Sequence, residues 1–241
     1  MRRFYKDEYT VKDKGEDNPL TDADLASNEI ILQGLRARYP DDGVLSEESA
    51  DTPERLGKRR VWIVDPLDGT KEFTLGIPEF VVSIALVVDQ KPVLGVLYNP
   101  IKDELFTGEV GRGAWFNGKA CQVSTHAGLQ GARIVCSRTE MKKGMFKAFE
   151  GLIVLVPVGS VAYKFGLVAA GLAEATFTPR PRNEWDIAGG VAVVQAAGGT
   201  TSDRTGAAFA FNRKDPLQDG VAGTNGVVHQ DIIGLMDKVD G

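Results

Sequence analysis

The segment Val61-Trp62-Ile63-Val64-Asp65-Pro66-Leu67-Asp68-Gly69-Thr70 constrains this chain more than any other. Val61 to Val64 is an apolar run of buried-strand type. Asp65-Pro66 stops it abruptly, because proline lacks a backbone N–H and fixes φ, and the turn brings Asp68 back beside Asp65. Two carboxylates crowded in this way repel, so both stay ionised only with a cation between them. Gly69 permits close backbone approach, and Thr70 offers an amide and a hydroxyl at a predicted helix start, where anions bind readily. The ordinary alternative is an Asx-type turn in which Asp65 or Asp68 caps the helix.

Composition narrows the cation. His126 and His229 are the only histidines, and Cys121 and Cys136 lack zinc-site spacing, so neither a zinc centre nor a disulfide framework is expected. A metal here must be held by oxygen, which points to magnesium, manganese or calcium. The formal charge of -5 argues against a nucleic acid polymer as partner. It is compatible with a small phosphorylated substrate, since a bound cation reverses the local sign. No apolar run reaches the roughly 18 residues of a membrane span, and the N-terminal residues lack a secretion signal, so a cytoplasmic setting is expected.

Along the chain, Thr21-Asp22-Ala23-Asp24 opens a helical pattern with Leu25, Ile30, Ile31 and Leu35 as apolar positions, ending before Pro40. Phe80 to Val88 and Pro92 to Tyr98 read as a hairpin around Asp89-Gln90-Lys91. Leu105 to Val110 and Gly113 to Phe116 continue it, with a turn at Asn117-Gly118. Further on, Arg133 to Cys136, Leu152 to Leu155, Ala175 to Phe177 and Gly220 to Ala222 read as strands. Ala162 to Ala170, Ile187 to Ala197 and Val227 to Val239 read as helices. The pattern is a mixed α+β chain with a soft boundary near residue 130, giving an N-terminal half 1–130 and a C-terminal half 131–241.

Three further acidic segments have ordinary local explanations. Leu45-Ser46-Glu47-Glu48-Ser49 reads as a solvated loop, Asp186 in Asn183-Glu184-Trp185-Asp186-Ile187-Ala188-Gly189-Gly190 as a helix cap, and Asn18 to Asp24 as a helix start. Taken in order with the Asp65–Thr70 segment, however, they closely resemble the inositol monophosphatase superfamily of lithium-sensitive phosphatases over almost the whole chain. The resemblance implies a layered αβαβα sandwich of the sugar-phosphatase type. It implies that Glu47, Asp65, Asp68 and Asp186 bind metals through carboxylates and Leu67 through its carbonyl. Asp24 would pair with the Thr70 hydroxyl to activate the attacking water, and Glu48 would orient that water or a metal's shell. The cofactor implied is Mg²⁺, with Mn²⁺ as a substitute and Li⁺ and Ca²⁺ inhibitory; homodimers are common in the family. Four carboxylates and a phosphate monoester carry about -6 together, so two or three divalent ions are needed to approach neutrality.

Gly69, Thr70, Lys71, Ser160, Lys164 and Asp186 are the candidate substrate contacts, with Lys71, Arg180 and Arg182 candidates for a second phosphate. Lys71-Glu72-Phe73 and Gly159-Ser160-Val161-Ala162-Tyr163-Lys164-Phe165 resemble the 3'(2'),5'-bisphosphate nucleotidase branch. Pro179 stands where inositol monophosphatases carry a sugar-binding Glu. The expected reaction is therefore removal of the 3'-phosphate of adenosine 3',5'-bisphosphate, with inositol 1-phosphate or a broader set of sugar phosphates as the alternative. Against this, Lys164 also reads as a side chain snorkelling to solvent and Ser160 as a plain helix cap. Where the family has an opening helix of about twenty residues this sequence has only Met1–Tyr9, through a late start, a trimmed chain or loss of the element, and truncation would leave an apolar face uncovered. A non-catalytic metabolite-binding homologue would have lost Asp24, Thr70 or Glu47, and none is lost.

Overall fold

The computed structural model describes residues 1–5, 10–13 and 19–239; Asn18 and residues 6–9 of the opening segment lie outside them. A hairpin of β1 (Val11–Asp13) and β2 (Pro19–Thr21) leads into α1 (Asp22–Arg38). Then come β3 (Gly43–Ser46), β4 (Arg60–Asp68), the short α2 (Thr70–Thr74), β5 (Val81–Val88), β6 (Lys91–Asn99), β7 (Glu104–Glu109), β8 (Gly113–Phe116) and β9 (Lys119–Cys121). The strands β3 to β9 form a seven-stranded sheet in sequence order. Only β3 and β4 pair in parallel within it. The two-residue turn Asp89-Gln90 joins β5 to β6 with φ of 49° and 63°, the left-handed pair whose twist suits a tight hairpin.

The second half contains β10 (Arg133–Cys136), α3 (Arg138–Lys142), β11 (Val154–Pro157), α4 (Val161–Ala169), β12 (Ala175–Thr178), β13 (Arg182–Asn183) and α5 (Glu184–Ala196). It ends with β14 (Thr200–Ser202), β15 (Leu217–Gln218), β16 (Val221–Thr224) and α6 (His229–Val239). A five-stranded sheet runs in the order β11-β10-β12-β16-β14. The β11 strand begins two residues later than the Leu152–Leu155 reading placed it.

Helix α1 packs on β4, α4 and α5 lie between the two sheets, and α6 covers β12 and β16, which makes the layered αβαβα sandwich. The shared core joins Phe165 and Val168 of α4, Ile187 and Val191 of α5, and Ala85, Leu97 and Phe106 of the large sheet. Burying each large apolar side chain stabilises by roughly 1.5–3 kcal/mol. Small residues set the spacing: a Cβ added at Gly95 would stand 2.3 Å from the Gly189 carbonyl oxygen, and one at Gly190 2.5 Å from Phe165 Cβ. Helix α5 thus lies hard against both the sheet and α4.

Two sequence expectations change. The strand at Val61–Val64 is not stopped by Asp65-Pro66 but runs on to Asp68. Its register against β5 passes from Asp65↔Ser83 to Asp68↔Val81, three residues opposite two. This is a β-bulge, a position where proline's missing N–H costs no ladder bond. In an unbroken strand residues three apart face opposite sides; the extra residue turns Asp65 and Asp68 to the same one. In α1 the expected apolar positions Leu25 and Ile30 are exposed, whereas Asp24 and Asn28 are buried. That polar inner face is used by the site.

Candidate active site

Asp65, Asp68 and Asp186 place carboxylate oxygens within 4.8 Å of one another. Each is anchored through one oxygen. Asp65 Oδ1 accepts the Leu67 N–H at 2.9 Å. Asp68 Oδ2 accepts the Ala162 N–H at 2.6 Å and the Ser160 hydroxyl. Asp186 Oδ2 accepts the Asn183 N–H at 3.1 Å, so the capping role read from sequence is real and coexists with its place in the cluster. Among the described residues, no protein donor satisfies the second oxygen of these three carboxylates.

Burial, then the charges of Asp68 and Glu47, push Asp186 up to about 8. Burial, then Glu47, Asp68 and Asp186, raise Asp65 well above the usual carboxylate range. Burial raises Asp68 as well, against the opposing pull of Ser160, Ala162, Lys164 and Arg182. Crowded, buried carboxylates with spare oxygens and no nitrogen or sulfur donor suit a hard divalent cation.

Glu47 reaches this group through topology. The parallel pairing Ser46↔Val64 ends β3 against the middle of β4, so Glu47 follows directly beside Asp65. It lines the same cavity but stands outside the tight trio. The buried Asn28 holds its loop, accepting from the Ser46 hydroxyl at 2.7 Å and donating to Ser49 Oγ at 3.0 Å and the Glu48 carbonyl at 3.3 Å.

Asp24 is 1% exposed. Its Oδ2 accepts the Thr21 N–H at 2.8 Å and the Thr21 hydroxyl at 2.5 Å, and its Oδ1 faces Thr70 Oγ1 at 3.1 Å. The same Thr70 hydroxyl lies 3.0 Å from the Leu67 carbonyl oxygen. Burial raises the Asp24 carboxyl, the bonds from Thr21 and Thr70 pull it down, and the charge of Glu48 raises it further. Glu48 therefore stands near Asp24, although among the described residues neither lines the cavity.

The cavity holds about 340 Å³ and is lined by Glu47, Asp65, Leu67, Asp68, Asp186 and every candidate substrate contact: Gly69, Thr70, Lys71, Ser160 and Lys164. Gly69 sits at φ 101°, with a Cβ there meeting the Glu79 carbonyl at 3.0 Å, which only glycine accommodates. Ser160 adopts φ 59° and caps α4, accepting the Tyr163 N–H at 2.9 Å. Its loop is fixed by Glu79, which accepts the Gly159 N–H at 2.7 Å and pairs with Arg138 at 2.5 Å. Lys164 does not snorkel to solvent: it is 6% exposed and lines the cavity. Of the basic candidates, Arg182 lines the cavity with Lys71, whereas Arg180 is outside the lining. Glu72, Ser137 and Thr139 also line it and had received no role from sequence. Ser137 and Thr139 follow β10, and no local motif marks them.

Fold and site together define a hydrolase of the phosphatase class. The chain matches the Inositol monophosphatase family model over residues 1–240 and belongs to that family. It is 38% identical over 217 residues to inositol monophosphatase 3 of Solanum lycopersicum, covering 86% of this chain and 81% of that protein. It is 39% identical over 202 residues to the 3'(2'),5'-bisphosphate nucleotidase CysQ of Escherichia coli K12, covering 81% of this chain and 80% of that one. The extragenic suppressor protein suhB of Bartonella henselae superposes with a TM-score of 0.86 at 32% identity, covering 98% of this chain and 92% of that structure. Among the described residues no helix is long and apolar enough to cross a membrane.

Proposed function

We propose that this chain is a magnesium-dependent phosphomonoesterase that removes the 3'-phosphate of adenosine 3',5'-bisphosphate. The observation that carries the metal chemistry is the trio of carboxylates within 4.8 Å, beside a threonine hydroxyl hydrogen-bonded to a buried aspartate. Asp65, Asp68, Asp186 and Glu47, with the Leu67 carbonyl, would hold Mg²⁺. When bound, the ions supply positive charge that acidifies a water and stabilises the leaving oxygen.

The remaining work belongs to the chain. Thr70 Oγ1 takes a proton from the attacking water as its own passes to Asp24 Oδ1, 3.1 Å away. Thr21 donates two hydrogen bonds to the other oxygen of Asp24, which aim that carboxyl and favour its ionised form against burial. Glu48 helps to orient the water. The amides of Gly69 and Thr70 bind the phosphoryl oxygens.

The substrate reading is supported by similarity to CysQ and by the Lys71-Glu72-Phe73 and Gly159–Phe165 segments. Inositol 1-phosphate is the second reading, favoured by the comparable similarity to the tomato inositol monophosphatase. Phosphate release from both compounds, in magnesium with EDTA and lithium controls, separates them. A kcat/KM about a hundredfold higher for the nucleotide, near 2.7 kcal/mol of discrimination, is expected. Preference for the inositol ester overturns the substrate reading, and activity that persists in EDTA overturns the metal reading.

A further inference from the structure

Glu47 and Asp186 reach the site on separate elements, the loop after β3 and the start of α5, and a buried guanidinium connects the two. Arg55, in the helical turn Pro53–Gly57, is 1% exposed. Its Nε and Nη2 donate to the two carboxylate oxygens of Asp51 at 2.6 and 2.8 Å, so it grips the segment that leads away from Glu47. Its other contacts lie 157 residues further along the sequence: Nη1 donates to Asn212 Oδ1 at 2.8 Å, and Asn212 Nδ2 donates back to the Arg55 carbonyl at 3.0 Å. Nη2 also donates to the Arg213 carbonyl at 3.0 Å. The backbone of the same two residues holds α5. The N–H groups of Asn212 and Arg213 donate to the two carboxylate oxygens of Glu184, the first residue of α5, at 2.7 and 2.9 Å. Glu184 is fully buried, and its own N–H donates to the Pro216 carbonyl at 2.9 Å. Asp186 follows in the same turn of helix.

A buried ion pair is a poor means of gaining stability, since well-packed apolar side chains of similar volume often do as well or better. What a guanidinium supplies is geometry: its donors form a rigid planar fork, and here that fork engages Asp51 and the Asn212-Arg213 segment at once. The acidic site needs such a brace. Glu47 and Asp186 carry like charges close enough to act on each other, which pushes the loop and the helix apart. A cation is held tightly only where its ligands already stand at the right separation before it arrives. Asn28 steadies the Glu47 loop from α1, and the link from Arg55 to Glu184 ties the same loop to α5.

We propose that Arg55 is a positioning residue of the metal centre, which through Asn212 and Glu184 fixes the loop bearing Glu47 against the helix bearing Asp186. Arg55 lines no part of the cavity and acts only through those elements. The inference rests on the metal reading of the site given above and adds to it the device that holds two of its ligands in register.

The test is calorimetric titration of Mg²⁺ into the metal-free full chain, with no substrate present. Arg55→Gln removes the charge and the fork. Asn212→Gly removes the link to Arg55 alone: the backbone there is left-handed at φ 61°, which suits glycine, and its N–H still reaches Glu184. Each is expected to raise the Mg²⁺ dissociation constant about tenfold, the scale of losing an outer partner of a metal ligand. Combining them should add little, because both cut the same link. Arg133→Gln is the control: it breaks the pair with the buried Glu174 at the end of β10 away from the site, and should lower Tm while leaving the dissociation constant unchanged. Where Arg55→Gln does not fold, Asn212→Gly decides. Folded variants that bind Mg²⁺ as tightly as wild type, or a constant that rises equally in Arg133→Gln, overturn the positioning role while the metal reading stands. Wild-type protein that binds no Mg²⁺ overturns the metal reading itself.

Discussion

The hydroxyl of Ser160 donates to Oδ2 of Asp68 across 92 residues of chain, binding the cap of α4 to a carboxylate at the end of β4. One residue thereby caps the start of α4, sits at a left-handed φ of 59° in its loop and orients a carboxylate of the acidic trio. Ser160→Ala should raise the magnesium concentration for half-maximal activity by about tenfold, as loss of an outer hydrogen bond to a ligand typically does. It should also lower stability by about 1 kcal/mol through the lost cap. Magnesium titration of activity and thermal unfolding check the two effects separately.

Thr21 is a positioning residue, acting through Asp24. Thr21→Val keeps the side-chain shape and removes the hydroxyl. We expect kcat to fall about tenfold with KM nearly unchanged, and Thr21→Ser to restore it. Because the hydroxyl pulls the Asp24 carboxyl down against burial, its removal raises that group. The acid limb of the kcat–pH profile should therefore move to higher pH. A limb that stays in place would leave Thr21 with a structural role only.

Removal of metal should expose the repulsion among Asp65, Asp68 and Asp186. EDTA is expected to lower Tm, and magnesium to restore it. Asp65→Asn relieves one like charge and still accepts the Leu67 N–H, so the metal-free variant should melt higher than metal-free wild type. Its turnover should be nearly abolished and its response to magnesium weakened. Substantial residual turnover would remove Asp65 from the ligand set.

His229 is buried between the Ser202 and Thr224 hydroxyls, each 3.0 Å from a ring nitrogen. Burial lowers its pKa below the ordinary 6.5. The unfolded chain then binds the proton first as pH falls, so this contribution to stability is fully present above about pH 6.5 and is lost below it. At saturating magnesium, wild type should lose more Tm between pH 7 and pH 5 than His229→Gln does. Parallel profiles would show that the imidazole does not titrate on unfolding.

Gly190→Ala puts a Cβ 2.5 Å from Phe165 Cβ, where α4 and α5 meet. Overpacking of this kind costs about 1–3 kcal/mol, which differential scanning calorimetry should register as a clear fall in Tm. Since Asp186 rides on α5, activity should fall beyond what the loss of folded protein explains.

Much was written in local chemistry. Asp65, Pro66, Asp68, Gly69 and Thr70 fall within six residues, and their types alone point to crowded acids and close backbone approach, although the strand stop also read at Asp65-Pro66 is a bulge within β4 instead. The hairpin at Asp89-Gln90 and the helix from Asp22 follow from turn and cap preferences that act over a few residues. Asp24 and Asp186 were legible only as helix-start residues or through the family resemblance, because N-capping explains each of them locally.

What the tertiary structure decided depends on atoms that are distant in sequence. Whether the chain at Pro66 turns or bulges depends on the neighbouring strand β5, which supplies the register shift that sets Asp65 and Asp68 on one side. Whether Lys164 reaches solvent or a cavity depends on Glu140 and Arg182 arriving from other elements. Ser137 and Thr139 carry no motif and join the site because β10 ends at its rim. Short-range sterics and hydrogen bonding fix residue type and local turn, and the sequence determined those by itself. Burial and charge are sums over all neighbours, so the pairing of Ser160 with Asp68 and the gathering of Asp186 with Asp65 and Asp68 exist only once the sheets, α4 and α5 have packed.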